Sequence, residues 1–234
     1  MGLPYQIVLF LALSLLLSFL PFGRGILFPI QIFTTWLHEC WHAGAAAALG
    51  GSSIRMTLSV DGGGLTQYKI PAGKLRQGVI ASAGYLGASA SGCIIFYLTL
   101  KADQAPMFLS ASTLALTLSV LIALSMLFWI RNSFGFFSAM ALALVLAALH
   151  YYPPITRYAQ SVLLFLGIQT AFNGLFDIKT LFSLGNSQKT LSDAHKMQKL
   201  FYLPYWCWAL TWLGMSFFMM YWTARQAMVL NWKF

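Results

Sequence analysis

The sequence predicts an all-α polytopic membrane protein of about seven transmembrane helices, with a short β-hairpin-like or re-entrant loop after the second helix. Two observations lead to this fold class. The chain has 234 residues, of which 59% are hydrophobic and only 8% are charged, whereas a soluble domain carries about 25% charged residues. Its apolar residues also fall into runs near the roughly 20 residues that a helix needs to cross a bilayer. We therefore expect residues 1–234 to form one membrane-embedded domain.

Seven apolar runs are the predicted spans. They extend over Tyr5–Phe22, Ile26–Leu49, Gly78–Leu100, Pro106–Ile130, Phe134–Tyr152, Thr156–Phe182 and Pro204–Thr223. The first run has no charge before it and no small-residue cleavage site after it, so we interpret it as a retained span rather than a signal peptide. When the basic residues are assigned to alternate sides of the membrane, about nine fall on the side of the connections 50–74, 129–132 and 183–203 and about five on the other. This bias predicts a cytoplasmic location for the two long loops and the N-terminus.

Residues 50–74 are not a plain loop. Apolar and polar residues alternate there on both sides of the glycines at positions 62, 63 and 64. Alternation around a glycine-rich turn is typical of a β-hairpin. We therefore predict a hairpin or a partly embedded strand pair between the second and third spans.

Composition excludes two further classes of protein. The formal net charge is +9, but the basic residues are scattered through the loops and form no patch, so we expect no nucleic-acid partner. The three cysteines, Cys40, Cys93 and Cys207, lie in apolar runs without paired spacing. This arrangement argues against a disulfide framework and against a cysteine-based metal site.

The second apolar run contains the motif His-Glu-Cys-Trp-His at positions 38–42. Residues four apart share one face of a helix, so His38 and His42 can bind one metal ion together. Glu39 can then act as a general base on a water at that ion, which is the chemistry of zinc peptidases. Ionisable side chains at membrane depth are costly and usually functional. The motif therefore predicts a zinc site.

Zinc enzymes usually supply a third protein ligand. Ala45 and Ala48 stand where a metzincin extension needs glycine and histidine, and Glu39 is the only glutamate. The remaining candidates are Asp61, Asp103, Asp177, Asp193, His150 and His195. Asp177 is favoured because it lies in an apolar run, in a polar stripe with Gln169 and Asn173, and a carboxylate in lipid needs a partner such as a cation. Asp193 is the alternative, followed by His195.

The chain resembles the site-2 protease type of intramembrane zinc metalloprotease, and is most similar to its small bacterial-type branch. The resemblance lies in "TTWLHECWHAGAAAALGG" (34–51), the hairpin-like loop, "AGYLGASASG" (83–92) and "NGLFDIKTLF" (173–182). The last segment departs from the family pattern Asn-x-x-Pro-x-x-x-x-Asp-Gly, because it contains no proline and Ile178 follows Asp177. It therefore supports Asp177 as a ligand more than Asn173 as a substrate-orienting residue.

The resemblance implies hydrolysis of a peptide bond of a membrane-protein substrate within or beside the bilayer. We expect a single-span substrate and a location in a bacterial cytoplasmic membrane. The resemblance also implies zinc held by His38, His42 and Asp177, with Glu39 as general base and Asn173 near the developing oxyanion. The hairpin loop could offer a strand edge to an extended substrate. The alternative function is a noncatalytic, zinc-stabilised homologue that acts as a binding or regulatory partner. Four histidines in the chain are too few for the His-rich clusters of a membrane di-iron oxidase. A metal transporter does not require a glutamate beside its first histidine ligand, so the motif favours an enzyme over a transporter.

Overall fold

The computed structural model describes residues 3–20, 22–102, 110–183 and 192–231. The fold is mostly helical with one small sheet. The helices are α1 (Leu3–Phe19), α2 (Gly23–Ala48), α3 (Lys74–Lys101), α4 (Ala111–Phe128), α5 (Ser133–Tyr151), α6 (Pro153–Thr156), α7 (Ala159–Ser183), α8 (Asp193–Phe201) and α9 (Tyr205–Asn231). The strands are β1 (Ser52–Leu58) and β2 (Gly64–Lys69).

The long helices coincide with the seven apolar runs of the sequence. Among the described residues, α3, α4 and α5 are long and apolar enough to cross a membrane. This finding supports a membrane protein, while the full number of seven crossings stays a prediction. The predicted hairpin is confirmed, since β1 and β2 pair antiparallel between α2 and α3.

Helix α2 has one face in the protein core. Ile32, Phe33 and Trp36 are almost fully buried there, against residues of β1, α4 and α7. The Trp36 indole donates a 2.8 Å hydrogen bond to Ser125 Oγ on α4. This packing fixes the rotation of α2, so that His38, Glu39 and His42 point to another side of the helix.

Helix α3 lies against both α2 and α7 because it carries small residues on its contact faces. A Cβ atom at Gly92 would collide with the backbone of Ala171, and one at Gly167 would come within 2.8 Å of Phe96 N. Such close backbone contact is the usual role of glycine between membrane helices. The approach of α7 holds α3 in place beside the His38–His42 motif of α2.

The hairpin is anchored at the outer edge of β1. Met56 N donates to Trp129 O at 2.8 Å, and Arg131 N donates to Met56 O at 2.9 Å. The Asn132 side chain forms two further hydrogen bonds with the backbone of Leu58, at 2.7 and 3.2 Å. The connection between α4 and α5 therefore completes the sheet on this side. No described residue forms a strand along the outer edge of β2.

Candidate metal centre

The two histidines of the sequence motif come together on one turn of α2. His38 Nε2 and His42 Nε2 lie 2.9 Å apart. The Tyr85 ring of α3 meets the His38 ring edge-on at 4.8 Å and stacks on Trp212 of α9 at 4.9 Å. These ring contacts pack α3 and α9 against His38, the more exposed of the two histidines.

A third ligand group comes from α8. Asp193 is its first residue, and the preceding Ser192 caps the helix by accepting a hydrogen bond from the His195 backbone, as N-cap serines commonly do. Tyr202 ends α8 in the left-handed conformation with φ 64°. Met197 is buried between α3 and α9. Asp193 is thus carried by a short helix that is packed and capped at both ends.

Asp193 Oδ2 lies 3.2 Å from His38 Nε2 and 2.9 Å from His42 Nε2. The three ligand atoms therefore form a nearly equilateral triangle. Two ligands at about 2.0–2.1 Å from a tetrahedral zinc ion are separated by about 3.3 Å. The spacing of the three atoms is close to that value.

The hydrogen bonding of His42 also fits a metal site. His42 Nδ1 lies 2.6 Å from Ile80 O, and a carbonyl oxygen only accepts hydrogen bonds. Nδ1 therefore donates to Ile80 O, and Nε2 is the ring nitrogen that faces Asp193 Oδ2. Metal-bound histidines commonly donate their other ring proton to a carbonyl in this way. His42 Nε2 is therefore oriented to bind a metal ion together with Asp193 Oδ2.

Gly84 of α3 leaves the space around the ligand atoms open. A Cβ atom at this position would overlap the Nε2 atoms of both His38 and His42. The glycine belongs to the small-residue segment 83–92 of the sequence. The absence of a side chain there keeps room for an ion and a further ligand.

Glu39 lies in the same cavity as the ligand triangle. The cavity has a volume of about 410 Å³ and is lined by α2, by α8 and by the hairpin from Asp61 to Tyr68. A Cβ atom at Gly64 would come within 2.9 Å of Glu39 Oε1. The Thr66 hydroxyl donates to Glu39 O at 3.1 Å, and Thr35 Oγ1 donates to Gly62 O at 2.7 Å. The hairpin therefore lies directly against the motif.

The charge on Asp193 is well supported. Burial alone raises the pKa of its carboxyl, but His42, His38 and Lys196 hold the pKa well below its usual range. Lys196 Nζ donates to Asp193 Oδ1 at 2.9 Å. Burial lowers the pKa of Lys196, but the neighbouring Asp193 outweighs burial and the net shift is upward. The carboxylate is thus ionised at neutral pH and ready to bind a cation.

The structure brings together three of the residues that the sequence named, His38, His42 and Asp193, with Glu39 beside them. Asp177 and Asn173 lie on α7, but their side chains fall outside the described part of the chain, so their predicted roles stay predictions. Lys196 and Gly84 were not singled out by the sequence. The spacing of Asp193 and Lys196, three residues apart on a helix, was the one available signal for Lys196.

Comparison with known proteins adds one finding. A family model described as Peptidase M50B-like matches residues 6–223. No curated protein and no solved structure matches the chain. The matched range includes the motif on α2, the hairpin and all of α8.

Proposed function

The chain belongs to the Peptidase M50B-like family, which confirms the resemblance to site-2 proteases, and on this premise we propose that it is an intramembrane zinc metallopeptidase. It hydrolyses a peptide bond of a membrane-protein substrate within or beside the bilayer. The ligands are His38, His42 and Asp193. Among the described side chains, Asp193 is the carboxylate that reaches both Nε2 atoms, so it is proposed here as the third ligand in preference to Asp177.

One observation carries this proposal. The only glutamate of the chain is buried in the cavity that also holds the ligand triangle. A purely structural zinc site is usually closed by four protein ligands, whereas a catalytic site has three and an open position. Three ligands, an open cavity and an adjacent base together favour hydrolysis over a structural role.

The side chains divide the chemistry between them. Zinc, when bound, supplies Lewis acidity that makes a water nucleophilic near neutral pH. Glu39 takes the proton from the attacking water and later passes it to the leaving amine. Asn173 is the candidate for orienting the substrate near the oxyanion, as the family resemblance implies. The cavity walls hold Glu39, His38, His42 and Asp193 around the space for a substrate carbonyl.

The substrate is bound as an extended strand along the outer edge of β2. Met56 is the partner of Thr66 in the hairpin, yet its N–H and C=O groups bond to the α4–α5 connection instead. This pair is therefore of the non-hydrogen-bonded type, and the N–H and C=O of Thr66 point away from β1. Thr66 lines the cavity beside Glu39. Strand addition there binds substrate backbone with little demand on its sequence.

The membrane location also limits the class of substrate. Helices α3, α4 and α5 are apolar enough to span a bilayer, so the substrate reaches the cavity from the bilayer or its surface. A helix of a single-span protein, locally unwound, supplies the extended segment. The proposed location is the cytoplasmic membrane of a bacterium, with no nucleic-acid partner.

The test is the substitution Glu39→Gln, with zinc content and cleavage measured on the same membrane preparations. The amide keeps the shape of the side chain but cannot act as a base. Zinc should stay bound, and cleavage of a co-expressed single-span substrate should fall roughly 10²–10⁴-fold. If the variant cleaves the substrate as fast as the wild type does, Glu39 is not the general base. A wild-type protein that holds zinc and a membrane partner but cleaves nothing would establish the noncatalytic alternative.

A further inference from the structure

The two carboxylate oxygens of Asp193 have different partners. Oδ2 faces the Nε2 atoms of His38 and His42, at 3.2 and 2.9 Å. Oδ1 accepts a hydrogen bond from Lys196 Nζ at 2.9 Å. The carboxylate is therefore oriented with one oxygen toward the metal position and the other toward a cation.

This division matters for the number of ligands at the metal. A carboxylate can bind a metal ion through one oxygen or through both. If both oxygens of Asp193 bound, the second would take the coordination position that a catalytic zinc leaves to water. A hydrogen bond from a charged donor is among the strongest in proteins, so it can hold Oδ1 away from the ion.

We propose that Lys196 is a positioning residue that keeps Asp193 a one-oxygen ligand and thereby keeps one coordination position open. This inference rests on the proposed function and on Asp193 as the third ligand. It assigns Lys196 a part in the reaction through the carboxylate, without contact to the substrate.

The local structure supports this role for Lys196. It lies one helical turn after Asp193, which places both side chains on one face of α8. The Lys196 side chain is 40% exposed and lines the metal cavity, whereas the Asp193 side chain is only 9% exposed. The helix between them is fixed by the Ser192 cap and by the buried Met197. The ammonium group is thus held at the mouth of the site.

The experiment uses cobalt as the probe in the detergent-solubilised full-length protein. Cobalt(II) replaces zinc, and its visible absorption weakens when a fifth ligand joins a four-coordinate site. The variants are Lys196→Met, which removes the donor, and Lys196→Arg, which keeps a cationic donor. Lys199→Met is the matched control, because Lys199 is an exposed lysine of the same helix outside the cavity.

Lys196→Met should weaken the cobalt spectrum and lower the affinity for cobalt by roughly 10–100-fold, the range for outer-shell partners of metal ligands. Lys196→Arg should restore most of both values, and Lys199→Met should match the wild type. A wild-type spectrum and affinity in Lys196→Met would overturn the role of Lys196 while leaving the metal site intact. A wild-type protein that binds no cobalt would instead refute the proposed metal site.

A second variant covers the case in which Lys196→Met does not fold. Lys196→Gln keeps a hydrogen-bond donor but removes the charge, so its bond to Oδ1 is weaker. Its affinity for cobalt should be lower than that of the wild type. Where Lys196→Met also folds, the affinity of Lys196→Gln should lie between those of Lys196→Met and the wild type. An unchanged affinity and spectrum in a folded Lys196→Gln protein would also contradict the proposal.

Discussion

The two walls of the metal cavity are built in different ways. The helical wall, from α2 and α8, contributes side chains with specific chemistry: His38, Glu39, His42 and Asp193. The hairpin wall contains three consecutive glycines, at positions 62, 63 and 64, which contribute only backbone to the cavity. The function of the helical wall therefore depends on the identity of its side chains. The function of the hairpin wall depends on its backbone shape and on the N–H and C=O groups along the edge of β2.

This difference predicts how the two walls respond to substitution. On the helical wall, the loss of one ligand atom removes part of the reaction itself. On the hairpin wall, a substitution is tolerated if it leaves the backbone in place and the cavity open. Two of the glycines leave no room for a side chain, because a Cβ atom would collide with Gln31 at Gly62 and with Thr35 and Glu39 at Gly64.

The largest effect is expected on the helical wall from His38→Ala or His42→Ala. Either change removes one of two imidazoles that hold the ion from a single turn of α2. Zinc should fall from about one equivalent per chain to background, and cleavage should disappear with it. Metal analysis of the purified protein measures the change.

His150→Ala is the control for this prediction. His150 lies at the end of α5 and outside the cavity, so its replacement should leave zinc in place. Equal zinc content in His38→Ala and in the wild type would mean that α2 does not carry the site.

The next effect separates the two candidate aspartates. Asp193→Asn keeps one oxygen near the histidines but removes the negative charge, so zinc occupancy should drop strongly without reaching background in excess zinc. Asp177→Asn should retain zinc if Asp193 is the ligand. Zinc titration of both variants in parallel measures the difference, and the reverse order would assign the third ligand to α7.

Much of the fold was predictable because its signals are local. Apolar runs coincide with the long helices, and the glycines at 62–64 mark the hairpin turn. The anchoring of β1 was not predictable, because Leu58 and Asn132 are separated by 74 residues. The sequence placed residues 183–203 in one polar loop, whereas 193–201 form helix α8. Its capping residue, Ser192, was the available signal.

The metal site shows the same limit. The spacing of His38, Glu39 and His42 identifies its helical half without any structure. The other half depends on tertiary contact, since Asp193 is 151 residues from His42. The sequence favoured Asp177 because a carboxylate in an apolar run needs a cation. A carboxylate on a short helix between spans, such as Asp193 on α8, lies outside that argument, and the role of Asp177 stays a prediction because its side chain is not among those described.

A third, smaller effect is expected from Gly84→Ala, which adds one methyl group of α3 next to the ligand atoms of the helical wall. The Cβ atom would overlap both Nε2 atoms, so we expect zinc affinity to fall by roughly 10–100-fold, as for other disturbances next to ligands. Gly44→Ala is the matched control, because a Cβ atom on that glycine of α2 meets nothing within 4 Å. Zinc affinity equal in the two variants would show that α3 does not border the ion.

The smallest effect is expected on the hairpin wall, from Thr66→Pro. Proline removes the outward N–H of Thr66 without removing a bond of the β1–β2 ladder, a position where strands accept proline. The loss of one backbone hydrogen bond to the substrate, worth about 0.5–1.5 kcal/mol, should raise KM roughly 2- to 10-fold with kcat and zinc content little changed. Thr66→Val is the control, since it removes only the hydroxyl that bonds to Glu39 O. A KM that rises equally in both variants would assign the effect to the lost hydroxyl, and an unchanged KM in Thr66→Pro would place the substrate away from the edge of β2.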